Sequence, residues 1–522
     1  MWGWRSSRTV VIGTAGIMFA VCGILPLAYL LTASLTGVRA AATALFLDAR
    51  QWTLLFNTTL LGVGVAALST AIGVSLGFTL ARVPLQGKQA IRICLAAPML
   101  LPPYVVALAW IYLGAGLPTA VIDPQVVSSW TYSLPAAIVV LSLVFYPLSM
   151  LASEVGLRRV DGRLEEAALV AASPRRVLQR ITLPLAAPAV VAAALVIFVL
   201  AVSEFGVPGL LRVRVYTTEV FTAFAALYDF SRAIVVAIPL MVLCVAVGAI
   251  AASVLGARVV SARRLTGSHP ALFDQGGFAA RLTVVAVIIV AVGMPVVVLV
   301  REAWNVRSLG DALTGSGEAI ANSLILAAIG ASLVTVVAAC LGYARARARH
   351  RIANGADLLF VVLFAVPSTI VGVGLIGVWN RDGAFGAVYG TDAMFVLAYV
   401  ARFVPVAALM LAAAIRYVPS SHEEAAAVAG AGWLRTMRRI LIPQVKVGLA
   451  AAWIVAFVLS FGELGASVLV APPGESTLPI RIYTIIANTP PSHVAALALL
   501  QTIVILTPVA MFGMVTWRRG GR

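Results

Sequence analysis

Twelve apolar runs, each about 20 residues or longer, alternate along the chain with short polar and basic segments. They lie near 9–31, 54–80, 91–115, 131–152, 185–207 and 233–257, then near 280–300, 320–343, 357–379, 393–415, 446–470 and 494–517. Runs of this length cross a bilayer as α-helices. Only helices and closed barrels satisfy the backbone in lipid, and these runs are too long and continuous for barrel strands. The pattern predicts an all-α protein with twelve spans. The first run follows Arg5 and Arg8, as a secretory leader would. It is longer than a leader's apolar core and no clear small-residue cleavage site follows, so it reads as a retained span.

Composition removes the soluble alternatives. Of 522 residues, 61% are hydrophobic and 11% charged, with a mean hydropathy of +1.03. A soluble domain is nearer half apolar and a quarter charged. The 37 basic residues against 20 acidic ones give a net charge of +17, which on a soluble protein would suggest nucleic acid. Here topology explains it. With the amino terminus in the cytoplasm, 27 of the 37 basic residues fall in cytoplasmic segments, nine fall outside, and Arg402 lies within a span. That excess fits the positive-inside rule, with both termini in the cytoplasm and no nucleic-acid partner. Cys22, Cys94, Cys244 and Cys340 sit in apolar stretches without metal-ligand spacing, and the four histidines are scattered.

The chain is also an internal duplication. Asn57-Thr58, Gly77 and Arg82 recur as Asn322-Ser323, Gly342 and Arg347 at an offset of 265. Pro98 and Trp110 match Pro367 and Trp379 at 269, and Pro147 matches Pro405 at 258. Glu165-Glu166-Ala167-Ala168 matches Glu423-Glu424-Ala425-Ala426 at 258; Pro184, Glu204 and Gly206 match Pro443, Glu463 and Gly465 at 259. The expected organisation is a first half over 1–257, a basic cytoplasmic linker over 258–280 and a second half over 281–522. Six spans per half make the repeats parallel, related by an axis along the membrane normal.

Between the fourth and fifth spans of each half the pattern predicts a short helix, a break and a second short helix. Asp161 is a candidate N-cap, and Ser421 with Glu424 fits a capping box. Gly430 can end the first helix of the second copy, and Ser173-Pro174 can restart one in the first. An amphipathic helix resting on lipid headgroups would account for one copy. It explains less well why both copies keep an acidic-Ala-Ala core.

These segments resemble the Glu-Ala-Ala loop of permease subunits of binding-protein-dependent ABC importers: Glu-Ala-Ala, three residues, Gly, nine residues, Ile-x-Leu-Pro. The second copy matches at Glu424, Ala425, Ala426, Gly430, Ile440 and Pro443, with Ile442 for Leu. The first matches at Glu166, Ala167, Ala168, Ile181, Leu183 and Pro184. It departs at Ala172, where Gly is expected, and is one residue short after it. The resemblance covers both halves and implies a type I importer permease in the cell (inner) plasma membrane. It implies that both loops, with Glu165 and Glu423, form coupling helices, with Glu166 and Glu424 at the contact with two cytoplasmic ATPase subunits. It also implies an extracytoplasmic substrate-binding protein. The chain has no Gly-x-x-x-x-Gly-Lys-Ser/Thr loop. It is therefore expected to be a transport subunit without its own cofactor, ATP and Mg belonging to the partners.

The fused form is similar to the ferric-iron and thiamine permeases, and Ser203-Glu204-Phe205-Gly206-Val207-Pro208 resembles the iron group most. Thiamine, a polyamine or another small solute stays open as cargo. Glu204 and Glu463 near the outer ends of the fifth spans are candidate path residues. They read either as an acidic ring at an outer gate or as caps on helix breaks beside Gly206 and Gly465. Arg402, where the first half has Val144, is expected to pair with an acid such as Glu463, to meet an anionic chelate, or to serve structure alone. Prolines 98, 102, 103 and 367 mark kinks or gating hinges in the third spans. A twelve-span secondary transporter is the main rival; a membrane enzyme would need a carboxylate or His cluster that the sequence lacks.

Overall fold

The computed structural model describes residues 2–36, 48–116, 123–258, 277–304, 306–383 and 385–520. Most of the expected linker, 259–276, lies outside the described residues. Ten helices are long and apolar enough to cross a membrane, and two bent pairs supply the remaining crossings. In the first half these are α1 (Ser7–Ala33), α2 (Ala49–Arg82), the bent pair α3 (Lys88–Leu100) and α4 (Pro103–Ala115), α5 (Leu134–Arg158), α7 (Pro174–Ser203) and α8 (Phe230–Val254). In the second half they are α9 (Phe278–Ala303), α10 (Gly317–Ala346), the bent pair α11 (His350–Ala365) and α12 (Ser368–Trp379), α13 (Ala393–Arg416), α15 (Trp433–Phe461) and α16 (Pro491–Val515). The short elbow helices α6 (Gly162–Ala171) and α14 (Ser421–Val428) sit between the fourth and fifth crossings. Each half thus holds five continuous spans and one broken one.

The breaks expected at the prolines of the third spans are present, and one pairing is corrected. The third crossings turn by 90° in the first half and 94° in the second. The residue before a proline is pushed out of the α region, and proline itself donates no N–H to the ladder. Leu101 and Val366 accordingly adopt extended backbone before Pro102 and Pro367, which cap α4 and α12. The structural mate of Pro367 is therefore Pro102, at the offset of 265 that relates α2 to α10, and not Pro98.

α2 packs along α5, and α10 along α13, in equivalent places. The first helix of each half reaches across to the other. α1 lies against α10, α12 and α13, while α9 lies against α4 and α16. The interlocked halves share one large core running from Ala15 in α1 to Ile505 in α16.

Candidate functional site

Both elbows form, by different local means. In the first, the Asp161 carboxylate accepts from the Arg163 N–H at 3.0 Å and caps α6. In the second, Ser420 holds the N-cap position of α14 and makes no side-chain cap, so the capping box expected from Ser421 and Glu424 is absent. Ser421 is already the first helical residue, where its hydroxyl cannot reach the third N–H ahead.

The missing glycine of the first copy has a physical account. Gly430 closes α14 in the left-handed region, φ +78°, with the Ala431 N–H donating back to the Ala426 carbonyl at 2.9 Å. This is a Schellman-like stop. Ala172 instead leaves α6 extended, φ −146° and ψ 154°, and Ser173-Pro174 starts the next helix at once. The left-handed turn and the extra residue go together, so the shorter first copy has no need of Gly. Gly430→Ala, with open space around the new Cβ, is expected to cost about 1 kcal/mol from backbone strain alone. A thermal midpoint indistinguishable from the parent would refute this.

The two glutamates of each elbow face opposite ways. Glu166 and Glu424 are exposed, as are Ala167 and Ala425; Ala168 and Ala172 are half-buried, and Ala426 is buried. Glu165 is fully buried, 2.7 Å from the Arg82 guanidinium and bonded by the Thr182 hydroxyl at 2.7 Å. Glu423 is buried 2.6 Å from Arg347 and accepts from the Tyr343 hydroxyl at 2.8 Å. Five-residue π turns, Leu178–Thr182 and Met437–Leu441, open both fifth crossings, and the first places Thr182 against Glu165. Leu183 beyond the first turn is half-buried, while Pro184, Ile442 and Pro443 are exposed. Arg82 and Arg347 stand out in the sequence as repeat mates, but nothing local to them shows what they hold. At the elbow tips Val170 and Val428, repeat mates 258 apart, are 90% and 91% exposed.

The second constellation lies where the halves meet. Glu204, Glu463 and Arg402 line one cavity of about 160 Å³ with Tyr104, Phe205, Ser368 and the residues of the first proline break. Glu204 and Glu463 sit just past the ends of α7 and α15. The Glu204 carboxylate accepts from the Gly206 N–H at 2.9 Å. Glu463 accepts from the Ala466 and Ser467 N–H groups at 2.8 Å each and from the Ser467 hydroxyl. Both acids therefore cap helix breaks, the second of the two alternatives read from sequence, and both also line the cavity. Arg402 does not pair with Glu463: no ion pair within 4.0 Å involves it among the described residues. It donates to the Val366 carbonyl at the α11–α12 break and lies over the Phe364 ring. The break frees that carbonyl from the helix ladder, and the guanidinium supplies the missing donor.

Phe205 also lines a second cavity of about 680 Å³, with Arg50, Arg212, Arg214, Phe221 and Tyr483. Phe205, which lines both hollows, packs its ring against those of Phe221 and Tyr483 on the wall of the larger one, with centroids 4.7 and 5.5 Å away, and those two rings lie 6.2 Å apart.

Two fused six-crossing repeats, twin Glu-Ala-Ala elbows and a cavity between the halves define the permease subunit of a binding-protein-dependent ABC importer. The chain belongs to the family of binding-protein-dependent transport system inner membrane components, which matches residues 69–261 and again 331–517. It is 25% identical to the Fe(3+)-transport system permease protein FbpB 2 of Haemophilus influenzae, over 88% of this chain and 89% of that one. It is 26% identical to the putrescine transport system permease protein PotI of Escherichia coli K12, over 42% of this chain and 79% of the relative. It is 28% identical to the molybdenum transport system permease protein ModB of Mycobacterium bovis, over 41% and 86%.

Proposed function

We propose that this chain forms the translocation path of an ATP-driven importer in the inner membrane, with both termini cytoplasmic. Two ATPase subunits seat on the elbows and carry ATP and Mg; an extracytoplasmic binding protein delivers cargo on the opposite face. The observation that carries the reading is the pair Val170 and Val428. Two valines at equivalent tips, each about nine-tenths exposed beside an exposed acid, are apolar knobs left uncovered by the described residues. An exposed apolar residue at a structured tip is what a grooved partner accepts.

For cargo we favour ferric iron. The relative named for Fe(3+) transport aligns across both halves, whereas those named for putrescine and molybdenum cover less than half of this chain. Glu204 and Glu463 put two carboxylates on the wall of the cavity between the halves, which supports passage of a cation.

The test is a pull-down from mild detergent, comparing the intact chain with Val170→Asp plus Val428→Asp and assaying the retained protein for ATP hydrolysis. Retention of an ATPase by the intact chain and its loss with the double change are expected. A chain that purifies alone and takes up solute on a proton or sodium gradient would refute the importer reading.

A further inference from the structure

Each half contains one long helix held at both ends by side chains that recur at the same positions. At the elbow end Arg82 of α2 pairs with Glu165 and donates to the Leu157 carbonyl at 3.1 Å. Arg347, the residue that caps the end of α10, pairs with Glu423 and donates to the Val418 carbonyl at 3.0 Å. The far ends are held just as regularly. Asn57 donates to the Arg214 carbonyl at 3.1 Å, and the Thr58 hydroxyl accepts from the Tyr216 N–H at 3.0 Å. In the second half Asn322 donates to Glu475 at 2.7 Å, and the Ser323 hydroxyl accepts from the Leu478 N–H at 2.6 Å.

Tyr216 and Leu478 are each the first residue of a short helix, Tyr216–Phe221 and Leu478–Ile485. The long helix therefore caps the short one in both halves, filling a donor that a helix start leaves open. The short helices carry Phe221 and Tyr483, whose rings pack against Phe205, the residue that lines both cavities.

We propose that α2 and α10 are connecting rods. Each ties its elbow to the helix bearing one ring of the Phe205–Phe221–Tyr483 closure, so that elbow movement opens or seats that closure. The idea rests on the importer reading. An α-helix is stiff along its axis, and the 25 residues between the clamps in each half span about 37 Å. Coupling over that distance needs a contiguous element with both ends engaged. Here the elbow end is a buried ion pair, and the far end is a side-chain cap on the element that must move. Glu165 and Glu423 become positioning residues, which explains why they are buried while Glu166 and Glu424 are exposed.

The test uses the reconstituted complex with two variant sets. The far-end set is Thr58→Val plus Ser323→Ala, which removes the hydroxyls with little change of shape. The elbow-end set exchanges the charges in both halves, Arg82→Glu with Glu165→Arg and Arg347→Glu with Glu423→Arg. With the far-end set, ATPase retention and basal hydrolysis should stay within twofold. Uptake should fall at least tenfold, and stimulation of hydrolysis by loaded binding protein should vanish. Singly reversed elbow pairs should behave alike, the exchanged pairs should recover uptake, and joining far-end and reversed changes should be no worse than either alone. Parental uptake by the far-end set, or losses that multiply, would overturn the rods.

Hydrogen exchange on the chain alone separates this from failure of the importer reading. Reversing Arg82 should speed exchange over 216–221 and reversing Arg347 over 478–485, whether or not an ATPase is retained. Unchanged exchange at both would also overturn the proposal.

Discussion

Arg82→Met is expected to destabilise the chain by about 3–5 kcal/mol, the cost of leaving a buried charge without its partner. The Arg82 side chain is 2% exposed and that of Glu165 is 0% exposed, so water cannot stand in for the guanidinium. The Thr182 hydroxyl would remain on Glu165 but offsets only a fraction of a lost charge-assisted bond. Arg82→Met with Glu165→Met should recover much of the loss, because apolar groups of similar volume often replace a buried ion pair at little cost. Arg347→Met should be milder, since that pair is 15% and 7% exposed and Glu423 keeps the Tyr343 hydroxyl. The measurement is the thermal midpoint of each variant in one detergent at one heating rate. A midpoint for Arg82→Met equal to that of Arg347→Met, or no recovery in the double change, would refute the ranking.

Most of the fold was legible because lipid leaves few options. Hydropathy runs marked all twelve crossings, and collinear matches paired the halves. What stayed hidden is what depends on neighbours distant in sequence. Glu165 and Arg82 lie 83 residues apart, and no periodicity marks which of two adjacent glutamates turns inward. Three prolines clustered near the first break hid which one matches Pro367; only the 90° turn at Pro102 identifies the mate. For Arg402 the sequence leaves an acid, an anionic chelate or a structural role open, because intramembrane charges face a cavity or a partner. A carbonyl released by Pro367 took that role, and the release is a consequence of the bend rather than of any residue type. Gly206 and Gly465 beside the acids at 204 and 463 point to caps on helix breaks, but that both carboxylates also face one cavity depends on how the two halves meet.

Gly77→Val should be among the most damaging changes at the helix seams of the membrane interior. Its added Cβ would stand 2.6 Å from the Ser153 Cβ and 2.7 Å from the Met150 carbonyl oxygen, both on α5. A backbone oxygen cannot swing aside as the end of a side chain can, so α2 and α5 must separate. One turn earlier Gly73 meets Ser149 and the Met150 N–H at 2.6 and 2.7 Å, so the separation would spread along the contact. Overpacking alone costs about 1–3 kcal/mol, and moving two helices apart adds lost contacts to that, so we expect about 3 kcal/mol or more. The repeat mate Gly342 faces the Ala408 oxygen at 2.9 Å and the Ala412 N–H at 3.1 Å, so Gly342→Val should cost less. Gly13→Val is the control, because nothing lies within 4 Å of its Cβ. Helices in lipid gain no hydrophobic drive from meeting one another, so close approach through small residues is what holds α2 against α5. The yield of monodisperse protein in mild detergent and its thermal midpoint should therefore fall in the order Gly13→Val, Gly342→Val, Gly77→Val. A Gly77 variant as stable as the Gly13 one would mean that the α2–α5 seam tolerates a wider gap, and a rod so loosely seated could not pass movement from elbow to closure.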